Sequence, residues 1–153
     1  MRIYEAPDVM NLSCWSVQYV INCKLASASC ISWNPSRSHQ PMLAVGTDDP
    51  RTNAGGKVEI HEMSGSAQKW VKIASLMGIT DPVHDIAFAP NVGRSRHLLA
   101  IASKDIHIMA LTPSKEKSVP NGDGGNGNDA QITTLATLTD HESQVHKNGA
   151  LLI

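Results

Sequence analysis

An internal repeat constrains this chain more than any other feature of its sequence. Residues 30–63 contain the strings Cys-Ile-Ser-Trp-Asn-Pro, Met-Leu-Ala-Val-Gly-Thr-Asp-Asp and Lys-Val-Glu-Ile-His-Glu-Met, and residues 85–111 contain a similar series in the same order. Trp33 and Phe88 occupy corresponding places, so the repeat length is the 55 residues that separate them. A repeat of such a length indicates copies of one supersecondary unit that pack on one another.

The repeated unit has the pattern of four antiparallel β-strands. Ile31 and Trp33 flank a serine, and Ile86 and Phe88 flank an alanine, which is the alternation of a β-strand. Helical periodicity is weak throughout the sequence. The other three strands of each unit are expected at 42–45 and 98–102, at 57–63 and 106–111, and at 70–76 and 132–138.

The ends of the sequence do not make whole units. Strands expected at 2–5 and 15–23 correspond to the second half of a unit. The predicted organisation is therefore a half unit at 1–25, complete units at 26–78 and 79–139, and a stub of the next unit at 140–153. Long loops are expected at 46–56 and at 112–130; the second is rich in Gly, Asn, Ser and Pro and is predicted to be mobile.

Composition excludes several classes of function. The 153 residues include 13 Lys and Arg against 14 Asp and Glu and show no basic stripe, so direct nucleic-acid binding is not expected. No apolar run reaches the roughly 18 residues that cross a bilayer, and no signal peptide is visible. Cys14, Cys23 and Cys30 lack zinc-finger spacing and are interpreted as reduced thiols of a cytosolic or nuclear protein.

Motifs for cofactor binding occur only outside their required context. Residues 122–127 satisfy G-x-G-x-x-G, but no strand precedes them and no helix follows. Residues 124–129 match the start of a calcium-binding G-G-x-G-x-D repeat in a single copy, whereas such sites need stacked copies. No Ser or Cys has the local signature of an activated nucleophile. We therefore expect no cofactor, no metal and no catalytic residue.

Histidine and aspartate residues recur at the edges of the units. His84 and His141 each stand just before the first strand of a unit, and Asp49 and Asp105 lie in the turns after second strands. We interpret them as structural residues, with each histidine hydrogen-bonding toward such a turn. His61 and His107 flank apolar strand residues and are expected to point outward. The alternative is a metal- or nucleotide-binding enzyme, which requires the histidines at 61, 84 and 107, or the glycine-rich loop, to converge in space.

The aromatic residues divide into core and surface candidates. Trp33 and Phe88 alternate with small residues and are predicted to pack between units. Trp15 and Trp70 open the fourth strands, which are the outermost, and are candidates for contact with a partner protein.

Four-stranded repeats of this kind build β-propellers, and longer strings of the sequence suggest one family of them. The Trp-Asp pair of a usual WD40 repeat is missing from both third strands. However, residues 2–13 followed by Trp15, residues 30–35, and residues 80–91 followed by Gly93-Arg94 closely resemble the Seh-type nucleoporins, a family of WD40-repeat proteins. The resemblance extends from residue 2 to Val145 and implies a partial WD40 β-propeller.

The resemblance also implies a function. It implies a non-catalytic scaffold in the Y-shaped complex of the nuclear pore, supporting pore assembly and the transport of protein and mRNA, and a second place in the GATOR nutrient-signalling complex. Partners would be other nucleoporins and GATOR subunits, and the location would be the nuclear envelope, the lysosomal surface and the kinetochore. A related WD-repeat scaffold of the COPII vesicle coat is the alternative relative.

The sequence departs from the family in its extent. The family forms a six-bladed open propeller to which a partner donates a further blade, whereas this sequence lacks the first blade and a half and everything after Val145. We therefore expect a fragment or truncated form without the edge that accepts the donated blade, and a chain that is poorly stable alone because its sheet faces and edges are exposed.

Overall fold

A computed structural model of the chain describes residues 1–51, 56–65, 67–90, 93, 95–112 and 131–139. The regular structure of these residues consists of one short 3-10 helix, Leu12–Cys14, and ten β-strands. The strands are β1 Arg2–Glu5, β2 Ser16–Val20, β3 Cys30–Trp33, β4 Met42–Gly46, β5 Val58–Ser64, β6 Lys69–Ser75, β7 Asp85–Phe88, β8 His97–Ala102, β9 Ile106–Thr112 and β10 Gln131–Leu138. The all-β class is confirmed.

The strands form two four-stranded antiparallel sheets and one two-stranded ribbon. The first sheet has the order β3-β4-β5-β6, the second has β7-β8-β9-β10, and β1 pairs with β2. The sequence repeat persists in the register, because Trp33 pairs with Leu43 in the first sheet and Phe88 pairs with Leu99 in the second. These open sheets agree with a partial WD40 propeller.

The main hydrophobic core lies between the two four-stranded sheets. One face of the first sheet contributes alternating side chains such as Met42, Ala44 and Ile60, which meet the facing side chains of the second sheet. The second sheet contributes Ile86, Phe88, Leu99, Ile101, Met109 and Leu111. The innermost strands also make direct hydrogen bonds, since the Phe88 N–H donates to Ser32 Oγ over 3.1 Å and Ser29 Oγ donates to the Val83 carbonyl over 2.7 Å.

A smaller core lies on the opposite face of the first sheet, beneath the ribbon. Leu43 and Val45 of β4 are buried there against Ile21. The ribbon is tied to the segment that follows it, because the Met1 amino group donates to the Ile21 carbonyl over 2.8 Å and the Ile21 N–H donates back to Met1 over 2.9 Å. Strand β4 is thus covered on both faces, which explains its continuous apolar sequence.

Several predicted regions lie outside the described residues. They include residues 113–130 of the predicted long loop and the stub at 140–153. The boundaries of the units at 26–78 and 79–139 stay predictions. Within the described part of the chain, no helix has the length and apolar character needed to cross a membrane.

Gly46 provides a test of the packing between the sheets. A Cβ atom there would lie 2.7 Å from Cys30 Sγ, 2.8 Å from Ile86 Cδ1 and 2.9 Å from Val83 Cγ1. Because overpacking of a close-packed core typically costs 1–3 kcal/mol, we expect Gly46→Ala to lower the free energy of unfolding by about 2 kcal/mol in urea titrations.

Gly78 is the matched control, because a Cβ atom at that position meets no atom within 4 Å. Gly78→Ala should change the free energy of unfolding by less than about 0.5 kcal/mol. Equal effects of the two substitutions would contradict the packing described between the sheets.

Candidate functional site

A cluster of polar side chains lies buried between the first sheet and the segment that follows the ribbon. Glu59 and His61 alternate along β5 and therefore point to the same face, and His61 pairs with Lys72 of the neighbouring strand β6. Cys23 approaches this face from the segment after β2. We call Cys23, Glu59, His61 and Lys72 the polar cluster.

The Glu59 carboxylate is the centre of the polar cluster. Its Oε1 atom lies 3.4 Å from Lys72 Nζ, and its Oε2 atom lies 3.1 Å from His61 Nε2. The backbone N–H of Lys24 lies 3.3 Å from each carboxylate oxygen. Cys23 Sγ lies 3.9 Å from His61 Nε2 and completes the cluster. Because only 2% of the Glu59 and His61 side chains is exposed, these contacts replace water at a buried charge.

Burial controls the protonation of two members of the cluster. Loss of solvent lowers the pKa of His61 below its ordinary value, although the hydrogen bond that His61 donates to the Glu59 carboxylate opposes this effect. Burial also raises the pKa of the Cys23 thiol. The His61 imidazole and the Cys23 thiol are therefore neutral at neutral pH. The sulfur, nitrogen and carboxylate oxygen atoms of the cluster lie within 4.8 Å of one another and could hold a metal ion.

An open apolar surface adjoins the polar cluster. Ile31 and Trp33 project from β3 on the face that carries the ribbon, yet they are 49% and 50% exposed because the ribbon does not cover them. The Trp33 ring packs edge-on against Trp70, with ring centres 5.6 Å apart. A groove of about 460 Å³ lies between β3 and the segment that follows the ribbon. It is lined by Met1, Ile21, Cys23, Leu25, Ile31 and Val45 among others.

The ribbon carries a second exposed patch. Tyr4 and Val17 are a cross-strand pair and are each 46% exposed. Trp15, two residues before Val17, is 43% exposed. We call these three residues the ribbon patch.

The two aromatic residues predicted to lie between units have the same orientation but different surroundings. Trp33 and Phe88 both face the preceding unit. Phe88 is buried because a complete sheet precedes its own, whereas Trp33 is preceded only by the two-stranded ribbon. Of the two candidates for partner contact, Trp15 is exposed, whereas Trp70 is partly buried against Trp33 and has a buried indole N–H.

The predicted structural residues lie in turns at the sheet edges. The Asp49 carboxylate accepts the Arg51 backbone N–H over 2.9 Å and contacts the Arg51 guanidinium at 3.3 Å; both contacts hold the pKa of Asp49 below its ordinary value. The Asp105 carbonyl accepts the Ser103 N–H over 2.9 Å, and the His84 N–H donates to the Ala102 carbonyl over 2.8 Å. The proposed bond from the His84 side chain to the turn stays a prediction.

The remaining predicted features do not assemble into one site within the described residues. His141 and the glycine-rich segment at 122–129 lie outside those residues. His61 faces the ribbon on the side of the first sheet turned away from the second sheet, whereas His84 and His107 belong to the second sheet. These three histidines therefore do not lie together in one site.

Sequence reasoning missed the polar cluster. Its members come from three separate segments, and His61 was expected to point outward. One signal was present in the sequence. Glu59 stands between Val58 and Ile60 in an apolar strand, and a charged side chain that is buried in such a strand needs hydrogen-bonding partners.

The lowered pKa of buried histidines predicts a loss of stability in acid. The pKa values of His61 and His97 are below the ordinary 6.5 in the folded chain, in both cases chiefly because of burial. The unfolded chain therefore binds more protons, and the free energy of unfolding falls as the pH decreases through 6.5. Each histidine contributes at most about 1.4 kcal/mol per pH unit.

Urea titrations at pH 7.5 and 5.5 measure this effect. The wild-type chain should be less stable at pH 5.5, and His61→Gln should show a smaller difference between the two pH values. An unchanged difference in His61→Gln would contradict the assignment of His61 as a buried neutral imidazole.

Comparisons with known proteins identify relatives of the chain. No family model matches the chain. The chain is 55% identical to Nucleoporin SEH1 of Danio rerio over 147 residues, which are 95% of this chain and 39% of that protein. It is 54% identical to Nucleoporin SEH1 of Homo sapiens over 147 residues, 40% of that protein. The chain thus spans about 40% of the length of these relatives. Along the residues that align, the chain is closely similar to these Seh-type nucleoporins.

Proposed function

We propose that this chain is a non-catalytic scaffold segment of a nucleoporin, which works through protein–protein contacts at the nuclear pore. The observation that carries this proposal is the identity of 52–55% to proteins named Nucleoporin SEH1 over 95% of the chain. Identity at this level along β-strands that retain the repeat supports the same blade-like sheets in both proteins.

The exposed surfaces support a function in protein contact. The open face around Trp33 and the ribbon patch both display aromatic and aliphatic side chains to solvent. Tyrosine and tryptophan are the residues most enriched at the energetic centres of protein interfaces. In a propeller such a face is covered by an adjacent blade, which either the same polypeptide or a partner supplies.

The finer assignments of partners rest on the family resemblance. We propose the Y-shaped complex of the nuclear pore as the principal assembly, with pore assembly and the transport of protein and mRNA as the processes served. The GATOR nutrient-signalling complex is the second proposed assembly, and the lysosomal surface and kinetochore are the corresponding further locations. A partner-donated blade belongs to the same proposal.

Affinity capture tests the proposal. A tagged form of the full-length protein that carries this sequence should recover nuclear pore scaffold subunits from nuclear-envelope extract, as identified by quantitative mass spectrometry. Trp15→Ser removes the aromatic centre of the ribbon patch and should lower their recovery at least tenfold, because truncation at an interface centre typically costs 2 kcal/mol or more.

Met77→Ser is the matched control, since Met77 is an apolar residue that is 65% exposed on a turn after the first sheet. It should leave the recovery unchanged. Thermal melts of both variants show whether any loss reflects unfolding. Failure of the unsubstituted protein to recover pore subunits would refute the proposed function, whereas equal recovery by Trp15→Ser would refute only the proposed contact.

A further inference from the structure

We propose that Cys23, Glu59 and His61 form a binding site for a divalent cation of the zinc class. The bound cation would join the segment after β2 to the first sheet. Cys23 lies 36 residues before Glu59 in the sequence, so the site exists only after the chain has folded. Its spacing therefore resembles none of the short sequence patterns by which zinc sites are recognised.

The chemistry of the three donors favours zinc among biological cations. The site supplies a sulfur, an imidazole nitrogen and a carboxylate oxygen, which together are typical zinc ligands. Calcium and magnesium prefer sets made only of oxygen atoms, and a single carboxylate does not meet their needs. Mixed sulfur and nitrogen donors thus indicate a borderline-soft metal.

The distances between the donors are close to those of a formed site. His61 Nε2 and Glu59 Oε2 are 3.1 Å apart, Cys23 Sγ and His61 Nε2 are 3.9 Å apart, and all three donors lie within 4.8 Å of one another. Tetrahedral bonds of about 2.0–2.3 Å place ligand atoms roughly 3.3–3.6 Å from one another. A modest inward movement of the sulfur atom is sufficient, and Cys23 belongs to an irregular segment that can supply it.

The surroundings hold two of the donors in place. Glu59 and His61 belong to the same strand, so their spacing is set by the backbone of β5. Lys72 Nζ and the Lys24 N–H bond the carboxylate from outside, as the supporting shell of a metal site does. The Lys72 charge leaves the bound site, with Zn²⁺, carboxylate and thiolate, at a net charge of +1.

The cation has a route into the site and an open coordination position. The open groove beside β3 is lined by Cys23, so the cation would reach the site from the side of the sulfur atom. Three protein ligands leave a fourth tetrahedral position for water. On binding, the Cys23 S–H bond breaks, a Zn–S bond forms and the proton passes to solvent. The imidazole coordinates through Nε2, and the proton that Nε2 donates to Glu59 in the unbound site moves to Nδ1 by exchange with solvent.

Titration of the reduced full chain with zinc chloride tests the proposal by calorimetry. One Zn²⁺ should bind per chain, and Co²⁺ in its place should give a thiolate-to-cobalt charge-transfer band. Cys23→Ser and His61→Phe should each weaken binding at least tenfold and abolish that band. Cys14→Ser and Cys30→Ser are matched controls that should bind as the unsubstituted chain does. Absence of saturable binding, or binding that survives both cluster substitutions, would overturn the proposal.

A second measurement needs no substitution and so avoids loss of folding in a variant. The rate of alkylation of each cysteine by N-ethylmaleimide is followed by peptide mass spectrometry with and without Zn²⁺. Zinc should slow the reaction of Cys23 at least tenfold and leave the rate at the exposed Cys14 unchanged. Equal protection of both cysteines, or protection of neither, would refute a site at Cys23.

Discussion

The burial of strand β4 on both of its faces is the interaction on which the rest of this structure depends. Met42 and Ala44 point into the core shared with the second sheet, while Leu43 and Val45 point toward the ribbon. Since a β-strand sends alternate side chains to opposite faces, a strand that is apolar at every position must lie between two layers. Both neighbouring layers therefore stabilise the first sheet, and the core shared with the second sheet is the larger of the two.

The same constraint explains which surfaces are left open. An apolar face of a sheet is buried only to the extent that the neighbouring layer covers it. Phe88 is buried because the complete first sheet lies against it, and Trp33 is half-exposed because two strands do not cover a four-stranded sheet. An aromatic residue at this strand position is therefore buried where a complete sheet lies against it, and is exposed to partner proteins where only two strands do. This is the physical basis for proposing that the chain works through contacts with other protein surfaces.

Much of the fold could be predicted from the sequence because strand periodicity is a local signal. The two copies of the repeat reinforce each other, so the ten strands lie where the alternation and the apolar runs predict them. The polar cluster could not be predicted in the same way. Cys23 and His61 meet only through the packing of the segment after β2 on β5. The alternation of β5 places His61 on the face opposite Ile60, but no local signal in the sequence shows that this face is covered. The surroundings of Trp33 were missed for a similar reason, since they depend on the number of strands in the preceding layer.

Native-state hydrogen exchange, read strand by strand by mass spectrometry, tests most directly whether the two sheets are one cooperative unit built around β4. Amides of β4 in the first sheet and of β8 in the second should exchange with the same free energy of opening, because loss of either sheet exposes the shared core. The ribbon amides should open at a lower free energy, since fewer contacts hold them. Exchange of the β8 amides at a clearly lower free energy than those of β4 would show that the first sheet survives without the second, and would contradict the account.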